Sequence, residues 1–260
     1  LVLAGLLVLK RASITINTDF YEHPWYYWTY LYNHWLEQHT NWADTLSPYW
    51  SLSVEEQFYV LWPFCILLIS SRFRAYFLWF CVLFGIAFRY YSVHLQQGIG
   101  VYMLTCVDTF AWGALLAHYI RDGRSADISI WIRRLIIPVV FCFLMICLKH
   151  TDADLVKQLF FRTFTSLVSV ALLFYAMQAG SFAKILSISP LRLIGQMSYG
   201  IYLYHMLVPD LFFKIAGKLH IPIPELPFNI VPFIVLFTFS FLSLNLIEKP
   251  IQSFKRFFVS

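Results

Sequence analysis

Two adjacent carboxylates at the start of an apolar run are the feature of this sequence best suited to chemistry. Glu55 and Glu56 lie in the stretch WSLSVEEQFY, residues 50–59, and the apolar run continues to residue 69. A carboxylate at the edge of hydrocarbon is costly, by at least a few kcal/mol where it goes deep, so it usually has a functional partner. This stretch is therefore the first candidate for acid–base chemistry.

The two carboxylates are not equivalent. The S-x-x-E spacing from Ser53 to Glu56 is that of a capping box, which predicts a helix that begins at Ser53 with Glu56 folded back onto the Ser53 amide. Glu55 has no such local role, and a desolvated carboxylate is suited to act as a general acid or base. On a helix Glu55 shares one face with three aromatic residues, Phe58, Tyr59 and Trp62.

Three more ionisable residues interrupt later apolar stretches. Asp108 lies about 12 Å, or eight residues, below the predicted outer end of its helix, where it is either a site residue or a scaffold residue paired with a neighbouring helix. His205 shares a helical face with Ser198 and Tyr202, and it is either a hydrogen-bonded packing residue or a proton-transfer group. Arg89 either extends to the interface or serves as a counter-ion.

The composition predicts a polytopic membrane protein. Of 260 residues, 60% are hydrophobic and only 13% are charged, and the mean hydropathy is +0.66. A soluble domain of this size does not need so much apolar surface. The net charge of +5 is spread between the apolar runs, where it acts as a topology signal, so we expect no nucleic-acid partner. The five cysteines lie inside apolar runs without a C-x-x-C pair, and we expect neither a disulfide framework nor a metal site.

The apolar runs predict an all-α transmembrane bundle of about seven full spans, because lipid requires every backbone group to be satisfied within the protein. A short apolar stretch, residues 1–9, precedes them, and we expect it to be the end of a helix whose beginning is missing. Residues 10–53 form an aromatic loop that is too polar to span. The seven predicted spans are 54–70, 75–93, 100–120, 130–148, 159–177, 196–216 and 228–247.

The positive charges between these spans predict the orientation. More of the lysines and arginines fall on the side that holds the C-terminus, which predicts a cytoplasmic C-terminus and an external loop over residues 10–53. The Glu55 stretch then lies at the outer mouth of its helix.

Several stretches together resemble one known family. The stretch 50–59 followed by Trp62 and Pro63 is similar to the signature of the integral-membrane acyltransferase-3 family, whose members include bacterial O-antigen and exopolysaccharide O-acetyltransferases. Further elements agree in order along nearly the whole chain, so that residues 1–260 form one domain of this kind. They are the aromatic-Asn element that ends at Asn33, the Asp-x-Phe segment that begins at Asp108, the element from Ser189 to His205, and Glu248-Lys249-Pro250.

The resemblance implies a function and a set of site residues. The family carries about ten transmembrane helices, with an arginine and a histidine on the first, so this chain would begin in the third helix of a bacterial cytoplasmic-membrane protein. It implies transfer of an acyl group, acetyl in particular, from acyl-CoA as co-substrate to a hydroxyl of a cell-surface or lipid-linked glycan, without a bound cofactor. We assign catalysis to Glu55, His205 and Asp108, and substrate binding to Trp50, Ser51, Asn33, Tyr59 and Tyr202.

Two other classes of protein remain open. A transporter or flippase for lipid-linked sugars would also use intramembrane Asp, Arg and His residues, although no inverted repeat is evident. A structural or sensory membrane subunit would give Asp108 and Glu55 only partners within the bundle. The sequence does not decide the acceptor or the oligomeric state.

Overall fold

A computed structural model of the protein describes residues 2–11, 15–95, 100–148, 155–221 and 230–254. Within these ranges the regular structure is helical, which confirms the all-α class. The helices are α1 (Val2–Arg11), α2 (Pro24–Trp28), α3 (Tyr32–His39), α4 (Tyr49–Leu68), α5 (Arg74–His94), α6 (Met103–Arg121), α7 (Ser125–Cys147), α8 (Leu155–Met177), α9 (Ser181–Leu186), α10 (Ser189–Tyr204), α11 (Leu207–Lys218), α12 (Ile230–Ser243) and α13 (Lys249–Ser253).

Five helical segments of the described residues are long and apolar enough to cross a membrane, so the expected count of about seven spans is not confirmed. Two of the seven predicted segments, 54–70 and 196–216, are not among them. The five are Ser71–His94, Met103–Arg121, Ser125–Met145, Leu155–Met177 and Ile230–Ser253.

Helix α4 begins four residues earlier than predicted, so the prediction of a capping box at Ser53 is wrong. The helix starts at Tyr49, directly after Pro48, and Ser53 lies inside it with 2% exposure. A helix does not extend easily through a proline, because proline has no backbone N–H to donate and its ring clashes with the preceding turn. Helices therefore often begin at or just after a proline. The capping-box pattern depends only on neighbouring residues. The longer helix is favoured instead by burial of Tyr49 and Val54, which that pattern does not include.

The predicted span 196–216 is divided into α10 and α11. Pro209 explains the division, because it lacks an amide hydrogen and its ring would clash with the carbonyl of residue 205 in a continuous helix. The chain leaves α10 at His205 and starts again at Leu207. His205 therefore lies at a helix end rather than in the middle of a span.

The described residues fall into two compact units. The first comprises Leu1–Tyr27, Asn41–Tyr49 and Ser187–Ser260, and the second Trp28–Thr40 and Trp50–Leu186. Part of the aromatic loop belongs to the first unit, where the buried carboxylate of Asp44 accepts hydrogen bonds from three groups. They are the Tyr27 hydroxyl at 2.6 Å, the Leu46 amide at 2.6 Å and the Asp19 amide at 2.9 Å. A single side chain thus replaces the regular hydrogen bonds that this segment lacks.

The second unit is organised around the contact between α5 and α6. Apolar side chains of the two helices form its core, and Trp62 and Ile66 of α4 pack against it. The helices meet most closely at Gly85, where a Cβ atom would lie 2.8 Å from the Asp108 amide nitrogen and 2.9 Å from the Asp108 Cβ. The core residues are Leu78, Cys81, Val82, Val107, Ala111 and Leu115.

We predict that Gly85→Ala destabilises the protein by about 1–3 kcal/mol, because the added methyl group meets backbone that cannot yield. The thermal unfolding midpoint of the purified protein in detergent measures the effect. Gly113→Ala on α6 is the matched control, since nothing lies within 4 Å of a Cβ atom there. Equal midpoints for the two variants would contradict the predicted tight contact.

Candidate functional site

Asn33 connects the aromatic loop to helix α4 within the second unit. Its side chain is fully buried, and its Oδ1 accepts a hydrogen bond from Gln57 Nε2 at 2.9 Å. The same Gln57 nitrogen donates to the Tyr30 carbonyl at 2.8 Å, and Asn33 Nδ2 donates to the Val101 carbonyl at 3.3 Å. The aromatic-Asn element and the α4 signature are thus in direct contact. Both belong to the motifs on which the family resemblance was based.

Glu37, which sequence reasoning missed, fixes the start of α6. Its carboxylate is 4% exposed and accepts the amides of Gly100 at 2.9 Å and Val101 at 2.6 Å. The Thr105 hydroxyl completes the turn by donating to the Gly100 carbonyl at 2.6 Å. A lone acidic residue in a short aromatic helix gives no signal of this role, because its partners are backbone groups more than 60 residues away.

Arg162 is the second residue that the sequence analysis did not identify. It lies in α8, half-buried, with its Cζ 5.8 Å from the centre of the Trp50 ring, within the range of a cation–π contact. One nitrogen, Nη1, donates to the Gly100 carbonyl at 2.9 Å and to the Thr105 carbonyl at 3.2 Å. Nη2 and Nε have no hydrogen-bond partner among the described residues, so the guanidinium can still bind an acceptor or an anion.

Glu55 is exposed, and its carboxylate makes no hydrogen bond within the described ranges. The aromatic face of α4 is used for packing, since the Phe58 ring stacks on Phe110 with centroids 3.9 Å apart. Ser51 is half-buried and Tyr59 is 60% exposed. Glu55 does not line the cavity of about 560 Å³ that the second unit contains. The carboxylate is thus available to a ligand, and its catalytic role stays a prediction.

Asp108 is fully buried in an ionic network that joins three helices. Its Oδ1 accepts from Arg89 Nη1 at 2.8 Å and its Oδ2 from Arg89 Nη2 at 2.7 Å. The Thr163 hydroxyl of α8 donates to Oδ2 at 2.7 Å and accepts from Arg89 Nη2 at 2.6 Å. Arg89 also donates to the Thr105 carbonyl at 2.8 Å, so it acts as a counter-ion inside the protein. A bidentate, hydrogen-bonded pair of this kind fixes geometry as well as charge.

This network has the features of the scaffold interpretation of Asp108. Both carboxylate oxygens are occupied, and the side-chain exposures of Arg89 and Asp108 are 4% and 0%. A carboxylate that is fully buried behind these partners has no direct access to a substrate hydroxyl. A catalytic role for Asp108 remains a prediction, and its positioning role is the one that the geometry supports.

His205 and Tyr202 belong to the first unit and are both exposed. The His205 Nδ1 lies 2.6 Å from the Tyr202 carbonyl. A carbonyl can only accept, so Nδ1 carries the proton and Nε2 keeps its lone pair in the neutral ring. The imidazole is therefore oriented in the form that a general base requires. The Tyr202 hydroxyl lies 3.5 Å from the Pro48 carbonyl, at the limit of a hydrogen bond.

The C-terminal motif meets the α10 motif inside the first unit. The Tyr204 hydroxyl and the Ser243 hydroxyl lie 3.1 Å apart, and the latter donates to Glu248 Oε1 at 3.2 Å. A Cβ atom at Gly200 would lie 3.3 Å from the same carboxylate oxygen. Glycine at this position lets the carboxylate approach α10, which gives a physical reason for two distant sequence elements to occur together.

The part of the aromatic loop in the second unit also holds a histidine whose pKa is shifted. Burial lowers the pKa of His34, and the nearby Glu37 carboxylate opposes this shift in part. The ring lies 5.1 Å from that of Tyr102. Burial likewise raises the pKa of Tyr102, with Glu37 acting in the same direction. Both pKa shifts favour the uncharged form of the ring.

No group of three or more His, Cys, Asp or Glu residues that could hold a metal ion occurs among the residues that the structure describes. The five cysteines, Cys65, Cys81, Cys106, Cys142 and Cys147, are free thiols. The polar atoms of the candidate site are carboxylate, amide, guanidinium and imidazole groups, which suit hydrogen bonding and proton transfer.

The apolar helices and their buried ionic network define an integral membrane protein of the helical class. Within that class, the chain belongs to the acyltransferase-3 family, whose description is "Acyltransferase domain" and which it matches over residues 12–245. This confirms the resemblance that the motifs predicted. No solved structure matches the chain.

Named relatives of this chain are O-acetyltransferases. It is 25% identical to O-acetyltransferase OatA of Staphylococcus aureus over an alignment of 278 residues, gaps included. The alignment covers 96% of this chain and 43% of that protein. It is 28% identical to peptidoglycan O-acetyltransferase OatA of Listeria monocytogenes over 242 residues, or 80% of this chain and 35% of that protein. The chain therefore spans less than half the length of these relatives.

We predict that Asp108→Asn destabilises the protein by about 3–5 kcal/mol, because it leaves the Arg89 charge buried without its counter-ion. Thermal unfolding in detergent measures the loss. Asp127→Asn is the control, since its ion pair with Arg124 is about half exposed on both sides and exposed pairs contribute at most about 1 kcal/mol. A stable Asp108→Asn variant would show that the pair does not hold the helices together.

Proposed function

We propose that the whole protein is a membrane O-acyltransferase that moves an acetyl group from acyl-CoA to a hydroxyl of a cell-surface or lipid-linked glycan. The observation that carries the proposal is the match of the family over residues 12–245, with named relatives that are O-acetyltransferases. The contact of the motif residue Asn33 with Gln57 of α4 supports placing the site beside this helix.

The proposed site has the three chemical parts that acyl transfer to a hydroxyl requires. Glu55 offers an unpaired carboxylate that can accept the proton of the acceptor hydroxyl or orient a base. Trp50 offers an aromatic surface on which a sugar ring can stack, and Ser51 lies beside it. Arg162 keeps two nitrogens without partners near Trp50 and can donate to an oxygen that becomes negative.

His205 is the second proton-transfer candidate. Its protonated Nδ1 is held by the Tyr202 carbonyl, and its Nε2 lone pair is the basic position. We assign His205 to catalysis and Tyr202 to substrate binding, with Asn33 and Tyr59 as further binding residues. Asp108 would act through Arg89 by keeping α5, α6 and α8 in place.

The proposed location is the bacterial cytoplasmic membrane, with residues 10–53 outside and the C-terminus in the cytoplasm. The bias of positive charges in the sequence supports this orientation. Acyl-CoA would then be supplied from the cytoplasm and the glycan from outside. The chain 1–260 would act as one acyltransferase domain.

We predict that Glu55→Gln in the whole protein lowers acetyl transfer by about 10²–10⁴-fold, the usual contribution of one acid–base group. Mass spectrometry of the surface polysaccharide of cells that express each variant measures the O-acetyl content. Glu56→Gln is the matched control, because it removes the same charge one residue away on a different face of α4.

Full acetylation by Glu55→Gln would remove Glu55 from the site. A second assay, with purified protein in vesicles, addresses the transporter alternative. Purified whole protein in vesicles with labelled acetyl-CoA should place label on an added glycan, whereas a transporter or flippase would leave the glycan unlabelled.

We predict that Arg162→Lys lowers acetyl transfer by at least about tenfold while the protein stays folded. A guanidinium can bond the Gly100 and Thr105 carbonyls with Nη1 and still offer Nη2 and Nε to a substrate, whereas lysine has a single nitrogen. The acetylation assay and gel filtration of the purified variant measure the two effects. Arg133→Gln is the control, since Arg133 is exposed and, among the residues that the structure describes, bonds only the Ser129 carbonyl of its own helix.

A further inference from the structure

The second unit contains an apolar cavity away from the candidate site. It has a volume of about 560 Å³ and lies between α6, α7 and α8, with Trp79 of α5 at one side. This size falls in the range of pockets that hold one small amphiphilic molecule. Its inner wall is aliphatic and includes Leu115, Ile132, Val139, Leu167 and Val170.

The α7 wall of this cavity faces outward. Trp131 and Leu135, which line it, are 60% and 48% exposed. In the most apolar window of this candidate span, none of the residues is buried within the protein. Because α7 is a candidate membrane span, the medium beside these side chains is lipid hydrocarbon. The cavity is thus accessible from the bilayer.

One end of the cavity is polar and charged. Arg124 Nε and Asp127 Oδ2 are 2.9 Å apart, and both side chains are about half exposed. The Arg124 guanidinium lies 4.9 Å from the centre of the Tyr119 ring, and the Tyr119 hydroxyl accepts a hydrogen bond from Trp79 Nε1 at 3.3 Å. Aromatic residues beside charged ones are typical of the membrane–water interface, where lipid headgroups lie.

An unsatisfied donor lies further along the same wall. Trp112 packs edge-on against Trp79 with ring centroids 5.3 Å apart, and its Nε1 is buried without an acceptor among the described residues. A buried donor without a partner costs about 1–3 kcal/mol. This nitrogen is not accessible from the cavity, so Trp112 contributes its ring surface to the wall.

We propose that the cavity binds one acyl chain of a glycerophospholipid with a zwitterionic ethanolamine headgroup. The chain fills the aliphatic part of the cavity between α7 and α8. The phosphate lies at Arg124 and the ammonium group at Asp127, so the ion pair offers one charge to each end of the headgroup. A lipid held here joins α7 to α6 and α8.

The test is native mass spectrometry of the whole protein in nanodiscs that contain equal amounts of phosphatidylethanolamine and phosphatidylglycerol. The native protein should retain one phosphatidylethanolamine molecule in preference to phosphatidylglycerol. Arg124→Gln should lower retention of both lipids by roughly threefold to tenfold, since a charge-assisted hydrogen bond to phosphate is lost. Asp127→Asn should remove the preference between them.

Val170→Trp should abolish retention by filling the cavity, and Val139→Phe from the α7 side provides the same obstruction where the first variant fails to fold. Arg133→Gln, on α7 but outside the cavity lining, should retain lipid like the native protein. Equal retention in all variants would show ordinary surrounding lipid and overturn the proposal. Retention of a coenzyme A species in place of lipid would also overturn it.

Discussion

The bidentate contact between Arg89 and Asp108 stabilises the second unit only because the two charges are buried together with their hydrogen-bond partners. In an apolar interior neither charge could remain without the other, and Thr163 binds both. The pair therefore requires α5, α6 and α8 to be in register before the charges are compensated. Other features of the unit, including the glycine contact at Gly85, follow from this requirement, since Asp108 must approach α5 closely enough to reach Arg89.

A second set of polar contacts orders the aromatic loop and connects it to this ionic network. Glu37 holds the backbone at Gly100 and Val101, and Thr105 bonds the same turn. The Thr105 carbonyl then accepts from both Arg89 and Arg162. One carbonyl at the start of α6 thus joins the buried ionic network to the guanidinium that lies beside Trp50. The candidate site and the buried ionic network are therefore positioned by the same backbone carbonyl.

The sequence predicted the class of protein and the family because these depend on composition and on motif order. Five of the seven predicted spans agree with helices of suitable length and hydropathy. The two that do not agree failed for local reasons: Glu55, Glu56 and Gln57 make the first half of α4 polar, and Pro209 divides the segment after His205. The start of α4 was misplaced because a capping pattern is visible in sequence, whereas burial of Tyr49 is not. The roles of Glu37 and Arg162 could not be predicted, because their partners are mainly distant backbone carbonyls and amides, which have no sequence signature.

The close approach of the Gly85 backbone to Asp108 restricts how α5 and α6 can move relative to each other. A sliding movement of one helix past the other would bring the Gly85 backbone against Asp108 and would separate two hydrogen bonds of a buried ion pair at the same time. These two helices must therefore move as one rigid body in any rearrangement of the second unit. Larger displacements within the second unit have to be carried by elements other than this pair of helices.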